Sequence, residues 1–305
     1  MVFLMYNGKM IPEYSNQEFV YMKGNVAKYL SNYYYNKVVD IVNNESTHHY
    51  HHAFEIYYMK SGICNYFIGN QSYKVTPGDV VLIPGETIHR TNYNGVAHTR
   101  LVINCSQEYI PVSVAERIPS VGHLYRNSRV IPQLDAIFSK IEEEYENADF
   151  LSSDVMRAYT AELFFIILRN PNEHENDSAE NNIVTRASKY IQDNYMNEVK
   201  LSSVAKQLSV SAEHLSRAFK KETGFGFNEY LTALRMQKAE YMLRNEPGRA
   251  VCEVAYACGF NDGNYFSYKF KEIYGVSPTK IKGCEFDQPL QKILGAGKKK
   301  KEDVV

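Results

Sequence analysis

His49, His51 and Glu55 share the parity of Tyr57 in the sequence. On a regular strand, whose side chains alternate with a period of two, all four would point to one face. Downstream, Gly78 and Pro84 precede a further histidine, His89. Two imidazoles and a carboxylate converging with a third imidazole make a donor set for a divalent transition metal. Without a metal, the same groups would line a pocket for a small polar ligand. A third reading is an exposed polar strand entry, because His48, His49, His51 and His52 form a cluster in which some must face outward. Tyr57, Tyr66 and Phe67 would either add aromatic walls to such a pocket or serve as ordinary core.

The elements that would position these groups are short β-type runs across residues 36–104, such as NYFIG, SYKV and DVVLIP. SG, GNQS, TPGD and PGET turn signals punctuate them, a spacing that suits a small β-barrel or sandwich. The shared face could then be the barrel lumen. Two helical patterns follow: Leu134, Ile137, Phe138, Ile141 and Tyr145, then Leu151, Val155 and Leu163 to about Leu168. They would pair as a helical hairpin, serving either as a dimer contact or as a scaffold on the barrel of the same chain. PNEHENDSAENN at 171–182 lacks periodic apolar residues and reads as a linker.

Charge divides at that linker. Residues 1–181 carry 14 Lys+Arg against 21 Asp+Glu, whereas residues 182–305 carry 20 against 14, a change from −7 to +6. A polyanionic partner therefore belongs to the C-terminal part. The 305 residues can bury two cores. MVFLM and LFFIIL are too short to span a bilayer, so a cytoplasmic location is expected. Cysteines at 64, 105, 252, 258 and 284 form no C-x-x-C pair and read as reduced packing residues.

Aligned against itself, the C-terminal part repeats. Leu201, Val204, Ala205 and Leu208 recur fifty residues later as Val251, Val254, Ala255 and Cys258. Leu215, Phe219, Lys220 and Gly224 recur fifty-one residues later as Phe266, Phe270, Lys271 and Gly275, placing one extra residue in the turn. Each copy has a short helix with apolar residues at i, i+3, i+4 and i+7, a break, and a second helix ending at glycine. This is helix-turn-helix organisation, present twice. Between the copies, residues 227–245 carry one apolar stripe through Tyr230, Leu231, Leu234, Ala239, Met242 and Leu243. One helix of roughly 27 Å would separate the two recognition helices by about one DNA turn, ~34 Å. Leu215, Phe219, Phe266, Phe270, Cys252 and Cys258 are expected in the core.

The string LSSVAKQLSVSAEHLSRAFKKETGFGFNEYL, with VCEVAYACGFNDGNYFSYKFKEIYGVSPTKIK, closely resembles the AraC/XylS family of transcription regulators over about a hundred residues. That resemblance implies recognition helices at about 212–222 and 263–273. It offers Glu213, Ser216 and Arg217 to base edges from the first, and Gly263, Asn264 and Tyr268 from the second. Arginine and asparagine suit guanine and adenine edges. Tyr268 departs from the arginine common in relatives. Lys220, Lys221, Lys269 and Lys271 would meet phosphates, which position without specifying. The spacing H-x-H-x3-E-x6-G, with a later G-x5-P and histidine, resembles the cupin motifs, although PGETIH lacks their P-x-G order.

The expected fold class is α+β in two domains: a cupin-like β-barrel with a helical hairpin, then an all-α double helix-turn-helix domain. Its boundaries are 1–132 for the sensor, 133–170 for the hairpin, 171–182 for the linker, 183–290 for the DNA-binding domain and 291–305 for a basic tail. The expected function is sequence-specific regulation of transcription, as an activator, modulated by an effector held at His49, His51, Glu55, Tyr57 and His89. Expected partners are double-stranded DNA, a small molecule such as a sugar, a second copy of the chain and, by the resemblance, RNA polymerase; no membrane is involved. No enzyme activity and no cofactor are expected. The alternatives are a metal-dependent cupin enzyme with a DNA-binding appendage, its metal on His49, His51, Glu55 and His89, and a non-specific architectural binder.

Overall fold

The computed structural model describes residues 3–6, 9–12, 29–30, 32–42, 53–118, 123–172 and 182–282. His49, His51, most of the expected linker and the basic tail lie outside the described residues.

Strands β1 (Phe3–Tyr6) and β2 (Lys9–Pro12) pair as a hairpin. The barrel follows: β3 (Tyr33–Ile41), β4 (Phe54–Ser61), β5 (Cys64–Ile68), β6 (Gln71–Val75), β7 (Val80–Ile83), β8 (His89–Asn92), β9 (His98–Cys105) and β10 (Leu124–Tyr125). They form two antiparallel sheets, ordered β10-β7-β4-β9-β3 and β6-β5-β8. Strand β4 is buried from Phe54 to Met59 because both of its faces are covered. Its odd residues Tyr57 and Met59 join Tyr66, Ile68, Tyr93 and Val102 in the lumen. Its even residues Phe54, Ile56 and Tyr58 lie under two helices. Helix α1 (Val112–Ala115) precedes that hairpin, which consists of α2 (Ile131–Glu146) and α3 (Ser152–Arg169).

Leu134, Ile137, Phe138 and Ile141 of α2 supply the stripe that covers the sheet. Tyr58 stacks on Phe138 at 4.8 Å, and Phe54 meets Phe164 edge-on at 5.7 Å. The inner face of the hairpin is thus a scaffold on its own barrel. Leu151, expected on the apolar stripe, is instead half exposed and immediately precedes α3. Among the described residues, no helix is long and apolar enough to cross a membrane.

Seven helices follow among the described residues: α4 (Ile183–Asn194), α5 (Leu201–Gln207), α6 (Ala212–Thr223), α7 (Phe227–Asn245), α8 (Val251–Ala257), α9 (Gly263–Tyr274) and α10 (Pro278–Ile281). Leu215, Phe219, Phe266, Phe270 and Cys258 are core, as the repeat implied. Cys252 is exposed, which corrects the expectation of burial: it sits at the second position of α8, on the side away from buried Val254 and Ala255. Helix α7 carries more than a single stripe. Gln237, Glu240 and Arg244 are buried alongside its apolar residues, because the rod is wrapped by both modules and touched by the barrel. A 2.9 Å ion pair between Glu240 and Arg244 offsets the desolvation of both charges.

Candidate nucleic-acid interface and effector pocket

The two helix-turn-helix modules keep the register of their sequences. In the turns, Ser209 (φ 59°) and Gly259 (φ 84°) occupy the left-handed region fifty residues apart. The N-caps are Ser211, whose side chain accepts from the His214 amide, and Asp262, whose side chain accepts from Asn264 and Tyr265, and these lie fifty-one apart. The extra residue therefore falls between turn and cap. Both recognition helices stop at a left-handed glycine, Gly224 and Gly275.

Buried Leu215, Phe219 and Thr223 fix the roll of α6, while Phe266, Phe270 and Tyr274 fix that of α9. Exposed side chains then fall at matching places: Glu213 with Asn264, His214 with Tyr265, Arg217 with Tyr268, and Lys220 with Lys271. Glu213, Ser216 and Arg217 line an open concavity with Leu201 and Ala212. Gly263 opens α9 with nothing within 4 Å of an added Cβ. Lys221 is exposed beside Lys220, which makes a surface pair with Glu229 at 3.3 Å. Lys269 is bound to Glu272 at 2.8 Å, and that hydrogen bond raises its pKa. His214 and Tyr265 were absent from the readout residues carried over from the family; the fifty-one-residue shift alone would have paired them.

In the barrel, the structure brings together Glu55, Tyr57 and His89. The Tyr66 hydroxyl donates to Glu55 Oε1 at 2.5 Å, and His89 Nε2 lies 3.7 Å from Glu55 Oε2. Burial, followed by the Glu55 charge, pushes the Tyr66 phenol well above its ordinary pKa, so it remains a donor. His89 Nδ1 lies 2.7 Å from the Thr87 carbonyl. Tyr57 hydrogen-bonds to Tyr93 at 3.2 Å, and Tyr93 stacks on His98. Arg100, buried and sharing the parity of Val102, donates to Asn36 at 3.2 Å. Sequence reading missed Arg100, although the alternation in β9 marks it for the lumen. Among the described residues, no three His, Cys, Asp or Glu side chains are grouped to hold a metal.

Phe67 is not a pocket wall. It faces away from the lumen, opposite Tyr66, and packs edge-on against Tyr230 of α7 at 5.9 Å. Phe67 and Ile88 belong to the core of the DNA-binding domain. Across this seam Tyr230 donates to the Gly69 carbonyl and Gln237 donates to the Glu86 carbonyl.

A buried polar barrel docked on paired helix-turn-helix modules defines a ligand-binding transcription regulator. Residues 42–158 match the family described as "AraC-like ligand binding domain", and residues 204–283 match "Helix-turn-helix domain". The curated "HTH-type transcriptional activator RhaS" of Escherichia coli is 26% identical over 244 residues, covering 77% of this chain and 86% of that protein. Among solved structures, the C-terminal domain of AraT, a response regulator from Geobacillus stearothermophilus, is 40% identical. The match covers 32% of this chain and 82% of that one, with a TM-score of 0.32. ToxT from Vibrio cholerae is 15% identical over 82% of this chain and 97% of its own, with a TM-score of 0.34. The chain belongs to the AraC family of transcription regulators: it binds double-stranded DNA through its C-terminal domain, under the control of a small molecule.

Proposed function

We propose that the protein is a cytoplasmic, dimeric, non-enzymatic activator whose effector is a small polyhydroxylated molecule such as a sugar. The observation that carries this reading is the placement of Tyr66 and His89 on the lumen side of β5 and β8, where Phe67 on β5 and Ile88 just before β8 pack into the core of the DNA-binding domain. An effector that hydrogen-bonds to Glu55, Tyr66, His89 and Arg100 would bind one arrangement of β5 and β8 better than another, and so shift the seam. The mixture of one carboxylate, one guanidinium and several phenols favours a neutral ligand rich in hydroxyl groups over a charged one.

We infer that Glu55 serves the effector and not a metal, since the Tyr66 hydroxyl donates to its Oε1 and His89 Nε2 lies 3.7 Å from its Oε2. The sign of regulation follows the name of the RhaS relative, and contact with RNA polymerase goes with it. For the dimer, the inner face of the hairpin is already used, so the outer face, with Phe165 and Phe150 exposed, is the candidate contact.

Selection of bound fragments from the source genome, with and without a panel of sugars, tests the whole reading. One or a few fragments retained over random DNA, with retention altered by one sugar class, is the expected result. Equal retention of all fragments would instead make the protein an architectural binder.

A further inference from the structure

The two modules are built alike yet present different chemistry to the same groove-facing surface. Applying the shifts of fifty and fifty-one residues, Lys206, His214 and Arg217 of the first module correspond to Tyr256, Tyr265 and Tyr268 of the second. All six are exposed, and the tyrosines keep 60%, 49% and 67% of their surface open. Since the three buried residues of α6 recur as Phe266, Phe270 and Tyr274 among the four of α9, Tyr265 and Tyr268 point as His214 and Arg217 do.

We propose that α9 reads thymine methyl groups, with the ring of Tyr268, flanked by Tyr265, packed against the C5 methyl of a thymine in the major groove. This rests on the DNA-binding reading above and assigns its specificity. The thymine methyl is the one apolar feature among the base edges of that groove. An aromatic ring complements it as arginine complements guanine. Lys269, tethered to Glu272, sits 5.9 Å from the Tyr268 ring centroid and restrains the ring on that side. The first module therefore selects its half-site through Arg217 and a hydrogen-bonding base pair, while the second selects a T-containing half-site with little charge.

The test replaces thymines of the native site by uracil one at a time, which removes only the methyl group, and measures affinity for the full-length protein. The half-site facing α9 is the one whose base changes remain felt in Arg217→Ala. Loss of about fourfold, the weight of one buried methyl, is expected at one or two thymines in that half. The loss should persist in Tyr268→Phe and vanish in Tyr268→Ala, whose exposed side chain leaves the fold intact. No uracil effect in that half, or an effect that survives Tyr268→Ala, overturns the proposal. So does an unchanged DNA affinity of Tyr268→Ala with reduced activation, which would assign the tyrosines to a protein partner. Failure to retain the unmodified site at all would sink the DNA-binding reading itself, and this one with it.

Discussion

The hydroxyl of Tyr230 donates to the carbonyl of Gly69 at 2.5 Å, tying the first turn of the helix that joins the two DNA-binding modules to the turn between β5 and β6. Gln192 donates to the same hydroxyl at 3.1 Å, so the phenol bridges α4, α7 and the barrel. Any movement of β5 is transmitted to the rod that sets the spacing of the recognition helices.

Tyr230→Phe keeps the ring contact with Phe67 and removes only the bridge. The expected cost is about 1 kcal/mol, with faster amide hydrogen exchange confined to residues 68–71. Unchanged exchange there would mean that the seam is held by apolar packing alone.

Burial raises the phenols of Tyr33, Tyr57, Tyr66 and Tyr230, and pushes that of Tyr93 up to about 12. In the unfolded chain these groups ionise near pH 10, so above that pH the unfolded state binds fewer protons than the native one. Stability is therefore full below pH 10 and falls as pH rises further, by about 1.4 kcal/mol per unit for each such tyrosine. Urea unfolding at pH 8, 10 and 11 checks this; a flat profile would contradict the burial.

Arg217→Ala is expected to lose about 1–3 kcal/mol on the cognate site and little on random DNA, the mark of a bidentate base contact. Lys220→Ala should weaken binding to every sequence and reduce the salt slope by about one unit. Equal losses on both DNAs for Arg217→Ala, or an unchanged slope for Lys220→Ala, would exchange their roles.

Gly259 lies at φ +84°, and an added Cβ would come within 2.6 Å of the Tyr195 carbonyl oxygen. Gly275, at φ +75°, has open space around it. Gly259→Ala should cost more than ~2 kcal/mol through strain plus backbone collision, and Gly275→Ala only ~1 through strain. Similar thermal shifts for the two would remove the collision from the explanation.

The repeat made the DNA-binding domain legible, because local helix periodicity and its duplication both survive in a single sequence. The limits of α7 follow from the apolar stripe between the copies, and those of both recognition helices from the family resemblance, to within a residue or so. Cys252 misled because an apolar residue in a helix need not lie on the buried side. The barrel was legible as alternation: Glu55 and Tyr57 do share the lumen. Phe67 was left open between pocket wall and core; it is core because β5 is covered on both faces, and only the tertiary docking of α7 reveals the second cover. Arg100 was missed because a charged residue in a strand is by default placed in water, whereas here it is buried beside a polar partner, Asn36.

Hydroxyl-radical footprinting of the native site tests the central claim, that paired modules grip one face of the duplex. Two protected patches about one helical turn apart, ~10 base pairs, are expected on the same face for each bound chain, with Arg217→Ala erasing base preference in one alone. A single patch, or two on opposite faces, would contradict it.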